Sequence, residues 1–164
     1  MTPTDPTLAK IFVHFPYHWV GVGGESFRAR SVGKDQYRLE NVPYYAYGLN
    51  YLDIVHAVPA SADLIPLIRR VVKRSGHETL RVTFEKPTSP QAQSPYLDGF
   101  ESRGLIIERI STASVALSVP PEVSYNDIYA HIKELQGLGI IGFETCGVRV
   151  RGGFGAKPPE PEGA

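Results

Sequence analysis

The sequence predicts an α+β fold of two packed units. A small, mostly-β, barrel-like unit runs to about residue 78, and a unit with the element order βαββαβ follows from about residue 79 to 151. Three observations predict this. Before residue 78, short runs alternate apolar and polar residues between glycine and proline turns, which is the period-two rhythm of half-buried strands. After it, strand-like runs are interrupted by two stretches that begin with helix-capping residues. The chain has 164 residues, a length that suits one domain or two small ones.

Residues 1–9 (MTPTDPTLA) read as a flexible lead-in, polar and short, with no apolar core of a signal peptide. Lys10 to Phe15 is a short strand stopped by Pro16. Two or three strands follow, broken at Gly23-Gly24 and at the turn Gly33-Lys34-Asp35. Phe27, Ala29 and Ser31 alternate with Arg28, Arg30 and Val32, and Tyr37 and Leu39 alternate with Arg38 and Glu40. Asn41-Val42-Pro43 interrupts this ladder, because proline has no N–H to donate. Asp53 to Val58 resumes as a strand before Pro59.

Residues 61–85 allow two readings. Leu64/Ile65, Leu67/Ile68 and Val71/Val72 could form a helical stripe, but Pro66 would then sit inside the helix, at a cost of roughly 3 kcal/mol. Enrichment in isoleucine and valine favours a strand over Leu67 to Lys73, turning at Ser75-Gly76-His77 into a second over Leu80 to Glu85.

Ser94-Pro95 supplies an N-cap and a first-turn proline for a short helix that ends at Gly104. Leu105 to Ile110 and Val115 to Val119 are strands closed by Pro120-Pro121. Ser124 opens the second helix, with Tyr125, Ile128, Ile132, Leu135 and Leu138 as its apolar stripe and Gly139 as its terminator. Ile140 to Val150 is the last strand. This element order is the ferredoxin-like split βαβ arrangement. The tail over residues 152–164, rich in glycine, proline and glutamate, is expected to be disordered.

The stretch ENVPYYAYGLNYLDIV, Glu40 to Val55, stands apart in composition. Four tyrosines crowd beside proline, glycine and asparagine, and together they make an amphipathic contact surface, for the interior or for a partner. If the segment were extended, Tyr45, Tyr47 and Tyr51 would face one side and Tyr44 the other. With the later stretch RSGHETLRV it resembles a bacterial family, domain of unknown function 4265. The matching residues are Asn41, Pro43, Tyr44, Tyr45, Ala46, Gly48, Asn50, Asp53 and Val55, then Arg74, Ser75, Gly76, His77, Thr79 and Arg81. Val42 is an extra residue between Asn41 and Pro43. The resemblance implies a cytoplasmic bacterial protein and carries no activity with it.

Composition narrows the function by exclusion. The 17 basic residues balance 17 acidic ones, which removes any global electrostatic case for nucleic acid or an anionic membrane. No apolar run approaches the roughly 18 residues a membrane-spanning helix needs. The single cysteine, Cys146, precludes an intrachain disulfide and fits a reducing cytoplasm. Cys146 has no basic sequence neighbour to activate it and reads as a small buried hydrophobe.

His77 invites a catalytic reading beside Ser75 and Glu78, but neighbours in one turn rarely aim at one point, and Ser75-Gly76 is what a tight turn needs on its own. Asp53 is expected to accept backbone N–H groups of the Gly48-Leu49-Asn50 turn. The five histidines are dispersed and match no zinc spacing, Gly21 to Gly24 precedes no helix that could hold a phosphate, and no cofactor or metal is expected. Arg69, Arg70, Lys73, Arg74 and Arg81 would fall on both faces of paired strands and read as a solvated face.

The leading expectation is a non-enzymatic protein- or peptide-binding module, an immunity-type or regulatory partner. Its contact residues would be Tyr44, Tyr45, Tyr47, Asn50, Tyr51, Asp53, Arg74, His77 and Arg81. Nucleic-acid binding by the sheet face, with tyrosine stacking and Arg/Lys phosphate contacts, is the alternative. A small-molecule enzyme using His77 and Asp53 is the second.

Overall fold

Strand β1 (Leu8–His14) pairs antiparallel with β2 (Gly24–Gly33), and β2 pairs with β3 (Gln36–Leu39) across a tight turn in which Asp35 takes a positive φ of 57°. β3 pairs with β4 (Ile54–Val58), β4 with β5 (Leu67–Lys73), and β5 returns to β1 through one parallel register, Phe12 beside Leu67. The five strands therefore close into a barrel. Its inside is filled by the alternate residues the period-two pattern marks, among them Ile11, Val13, Phe27, Ala29, Leu39, Val55 and Ala57. This is a computed structural model, and it describes residues 8–156.

The rest forms a four-stranded antiparallel sheet with two helices. β6 (Glu78–Phe84) leads into α1 (Pro90–Ser102), then come β7 (Ile106–Arg109), β8 (Ser114–Val119), α2 (Tyr125–Gly137) and β9 (Ile141–Thr145). The strand order is β7-β8-β6-β9. Leu80, Val82 and Phe84 of β6 join Phe100 of α1 and Ile128, Ile132 and Leu135 of α2 in one core. The whole is a mixed α+β fold with two sheets and two helices among the described residues.

Several boundaries differ from the sequence expectation. Helix α1 starts five residues early: Ser89, not Ser94, is the N-cap, its hydroxyl accepting the N–H of Ala92, and Pro95 falls inside the helix. The cause is tertiary, because Gln93 is wholly buried and its Nε2 donates to the carbonyls of Pro87 and Thr112, fixing the first turn. Leu138 leaves the apolar stripe, since it is the C-cap of α2 and 70% exposed. The last strand ends at Thr145 rather than Val150, because Cys146 and the residues after it turn back over the tyrosine segment, where Gly48 donates to the Cys146 carbonyl.

At the termini, Leu8 and Ala9 belong to β1 rather than to a flexible lead-in, and residues 1–7 lie outside the described residues. Phe154 and Ala156, expected in a disordered tail, are held in place: Phe154 packs against the barrel core and Ala156 against Tyr47 and Cys146. The backbone N–H of Tyr47 donates to the Phe154 carbonyl and that of Trp19 to the Ala156 carbonyl. Residues 157–164 lie outside the described residues.

Candidate functional site

The tyrosine segment is an irregular loop laid across the open face of the four-stranded sheet. Glu108 of β7, Ala116 of β8, Arg81 of β6 and Glu144 of β9 are register partners and form one row on that face. The loop cannot run extended, because Gly48 (φ 82°) and Leu52 (φ 66°) adopt left-handed backbone. A side chain at Gly48 would also meet Val148, whose Cγ2 lies 2.7 Å from where a Cβ would be. The expected alternation of tyrosines is thereby lost, and each finds its own partner.

Two charged residues hold the loop from opposite sides. Glu25 of β2 accepts the backbone N–H groups of Tyr44 (2.6 Å), Tyr45 (2.9 Å) and Ala46 (2.9 Å). Arg81, 6% exposed, donates to the carbonyls of Pro43, Ala46 and Tyr45 and, through Nε, to Glu144 at 2.8 Å. Its guanidinium also lies over the Tyr47 ring, 4.6 Å from the centroid. Burial pushes the Glu25 carboxyl above the usual carboxylate range, against the pull of the three N–H groups and Arg81.

The second motif locks on to the end of the loop. Asp53 is fully buried and accepts the N–H of Asn50 (2.9 Å) and of Ser75 (2.8 Å), with Arg74 at 3.5 Å. Desolvation raises its pKa, opposed by those N–H groups and by Arg74. Ser75 donates its hydroxyl to the Tyr51 carbonyl and accepts the N–H of His77, while Thr79 donates to Asn50 Oδ1. His77 sits edge-on to Tyr51, and its Nδ1 lies 3.0 Å from Ser118 Oγ.

The nine residues singled out by sequence are thus neighbours, but as a joint between the units. Tyr47 is buried, and Tyr44, Tyr45 and Tyr51 are half-buried. Tyr44 turns its hydroxyl to Glu108, and Tyr45 packs against the barrel core. Base stacking on the sheet face would require the surface this loop covers. A base at Asp53 would require an oxygen free of N–H groups and open to solvent. The thiol of Cys146 is pushed by burial up to about 12, so it stays protonated at neutral pH. Among the described residues no three His, Cys, Asp or Glu side chains converge as metal ligands, and no helix is long and apolar enough to cross a membrane.

One surface feature escapes the sequence reading. The Tyr47 hydroxyl donates to Glu144 Oε2 (2.6 Å) and accepts the indole N–H of Trp19 (2.9 Å). Trp19 stacks on buried His18, which in turn stacks on Tyr47. Arg149 lies over the Tyr47 ring at 5.2 Å. Trp19 is nevertheless 51% exposed, and Tyr17 and Val20, beside it in the chain, are exposed too. The only available signal was that a lone tryptophan stood in a loop ending in glycines.

A family description, Domain of unknown function (DUF4265), matches residues 25–143. The chain belongs to this family. The matched span begins at Glu25 and contains Glu25, Arg81 and the tyrosine segment between them, whereas Trp19, Glu144, Val148 and Arg149 lie outside it. No curated protein matches the DUF4265 chain in sequence. Among solved structures, one described as a "Novel crystal structure of a hypothetical protein from Neisseria gonorrhoeae" is similar in fold. It has a TM-score of 0.72 and 16% identity over 85% of this chain and 94% of that one.

Proposed function

We propose that this DUF4265 protein is a non-enzymatic protein-binding module, an immunity-type or regulatory partner in the bacterial cytoplasm. Its contact surface in this reading is the rim around Trp19, with the tyrosine segment as the foundation. The observation that carries the reading is the Trp19–Tyr47 hydrogen bond at 2.9 Å on a ring that is 51% exposed. Single exposed apolar residues are ordinary on protein surfaces. An exposed tryptophan that is already immobilised, with exposed Tyr17 and Val20 beside it in the chain and Arg149 over the Tyr47 ring it bonds to, is less ordinary. Tryptophan, tyrosine and arginine dominate interface energies, and a pre-fixed ring loses little entropy on binding.

The competing readings draw less support. Both Asp53 oxygens are occupied by backbone N–H groups, which argues against a base there. Arg81 is consumed by Glu144 and three carbonyls, which argues against a phosphate contact. At the level of architecture, the order β7-β8-β6-β9 with two helices on one face supports a ferredoxin-like second unit packed on a barrel-like first one.

The test uses the fact that Trp19 is the chain's one tryptophan. Proteins that co-purify from the native host, titrated one at a time, should shift its emission to the blue as the ring is covered. Trp19→Ala should weaken the binding partner by about 2 kcal/mol or more at nearly unchanged stability. A partner held equally well by Trp19→Ala, with no emission change, would remove the rim from the account.

A further inference from the structure

A separate feature of the joint remains unused by this reading. The β5–β6 turn, the end of the tyrosine segment and the chain after β9 enclose a cleft of about 550 Å³. That volume is within the range of small-ligand pockets, about 300–1,000 Å³.

The side chains lining it are fixed donors with spare N–H groups. Arg74 uses Nη1 on the Gly48 carbonyl (2.6 Å) and on Asp53, while among the described residues its Nε and Nη2 have no protein acceptor. The side chain is 53% exposed, so that free edge of the guanidinium is accessible. Asn50 accepts the Thr79 hydroxyl at Oδ1 (2.8 Å), which fixes the direction of its amide and leaves Nδ2 unpaired among the described residues. Ser118 is fully buried, and its Oγ lies 3.0 Å from His77 Nδ1. Burial lowers the His77 pKa, opposed by Glu122 and Asp53, which favours the uncharged ring. The Tyr125 ring and Val148 supply the apolar part of the wall.

We propose that this cleft binds a carboxylate, held side-on by the free edge of Arg74 with Asn50 Nδ2 as the second donor. A planar two-oxygen acceptor matches one edge of a guanidinium. A phosphate dianion fits less well, because Asp53 already compensates Arg74 and the exposed Glu78 adds negative charge to the lining. The carboxylate could come from a peptide C-terminus or from a free amino acid. The proposal requires neither Trp19 nor a protein partner.

The test is calorimetric titration of the full chain with acetyl-Gly-Leu, its C-terminal amide and free leucine. Acetyl-Gly-Leu or leucine should bind, and the amide should bind at least about tenfold more weakly, as loss of a charge-assisted hydrogen bond requires. Binding of the peptide alone identifies a C-terminus as the ligand, and binding of leucine as well identifies the free amino acid. Arg74→Gln should weaken the carboxylate at least about tenfold, whereas Glu78→Gln should tighten it by roughly twofold through loss of a like charge. If Arg74→Gln does not fold, the acid–amide comparison on the unaltered chain decides with Glu78→Gln. Equal affinity for acid and amide, no binding of either carboxylate, or indifference to Arg74→Gln in a folded variant would overturn the assignment.

Discussion

Glu25 and Arg81 never touch the same atom, yet they grip the same four-residue run, Pro43 to Ala46. Glu25 takes the N–H groups of Tyr44, Tyr45 and Ala46, and Arg81 takes the carbonyls of Pro43, Tyr45 and Ala46. One comes from the barrel and the other from the four-stranded sheet. A loop with no regular structure is thus satisfied at both backbone edges, as burial of its polar groups demands.

Arg81→Met should therefore cost about 3 kcal/mol or more in chemical denaturation, because it takes the donor from the Pro43 and Ala46 carbonyls and the cation from Glu144, which keeps only the Tyr47 hydroxyl. Arg81→Lys keeps the charge but lacks the fork, and should recover little of that loss. In a cycle with Glu25→Gln the effects should depart from additivity by at least about 0.5 kcal/mol, since both act on one loop. A loss below about 1 kcal/mol for Arg81→Met would mean that packing, not this bonding, holds the units together.

The two serines near α1 separate local from tertiary control. Ser89-Pro90 and Ser94-Pro95 carry the same capping signal, and nothing local ranks them. Ser89→Ala should cost about 1 kcal/mol through loss of the Ala92 N–H contact, while Ser94→Ala should be close to neutral. The reverse order in thermal or urea unfolding would move the helix start back to Ser94.

This pair shows where the sequence stops being legible. Elements that carry their own information were readable: Leu67–Lys73 from its branched residues beside Pro66, and α2 from Ser124, Gly139 and the Ile128/Ile132/Leu135 stripe. The start of α1 depends on Gln93 reaching Pro87 and Thr112, which no periodicity encodes. The joint was half legible. Its two motifs stood out by composition, but whether the tyrosines face in or out is decided by Glu25 and Arg81, about twenty and thirty-five positions away. Trp19 was overlooked because its importance lies in a hydroxyl 28 positions further on.

Cys146 gives a pH prediction with a definite sign. Burial pushes the folded thiol up to about 12 from 9.0, helped by Glu144 and opposed by Arg81 and Arg149. Between those values the native state holds the proton and the unfolded chain has released it, so stability is full below 9.0 and falls as pH rises towards 12. Cys146→Ala should be about 1 kcal/mol less stable at pH 7 because it leaves a small cavity. Its deficit should shrink as pH passes 9.0 and then reverse, since the variant has no thiol to ionise. Urea unfolding of both proteins at pH 7, 9 and 10 measures the difference, in which the other titrating groups largely cancel. A deficit constant across that range would show that the folded thiol ionises as readily as the unfolded one.

Tyr47→Phe is the sharpest probe of how the joint supports the surface. The change removes one oxygen and leaves the ring, so the stacking on His18 and the Arg81 contact survive. What disappears is the hydroxyl that accepts from Trp19 and donates to Glu144. Stability should fall by about 1–3 kcal/mol, because the Glu144 acceptor loses a bond in a partly buried place. Trp19 should then gain rotational freedom, and its fluorescence anisotropy should drop, although residue 47 itself is 1% exposed. A partner that recognises the held ring must now order it on binding, at roughly 0.5–1.5 kcal/mol for one side chain. Lower anisotropy with weaker binding ties the buried tyrosine to the exposed tryptophan. Unchanged anisotropy would mean that His18 alone fixes the indole, and the hydroxyl would then serve only the Glu144–Arg81 pair.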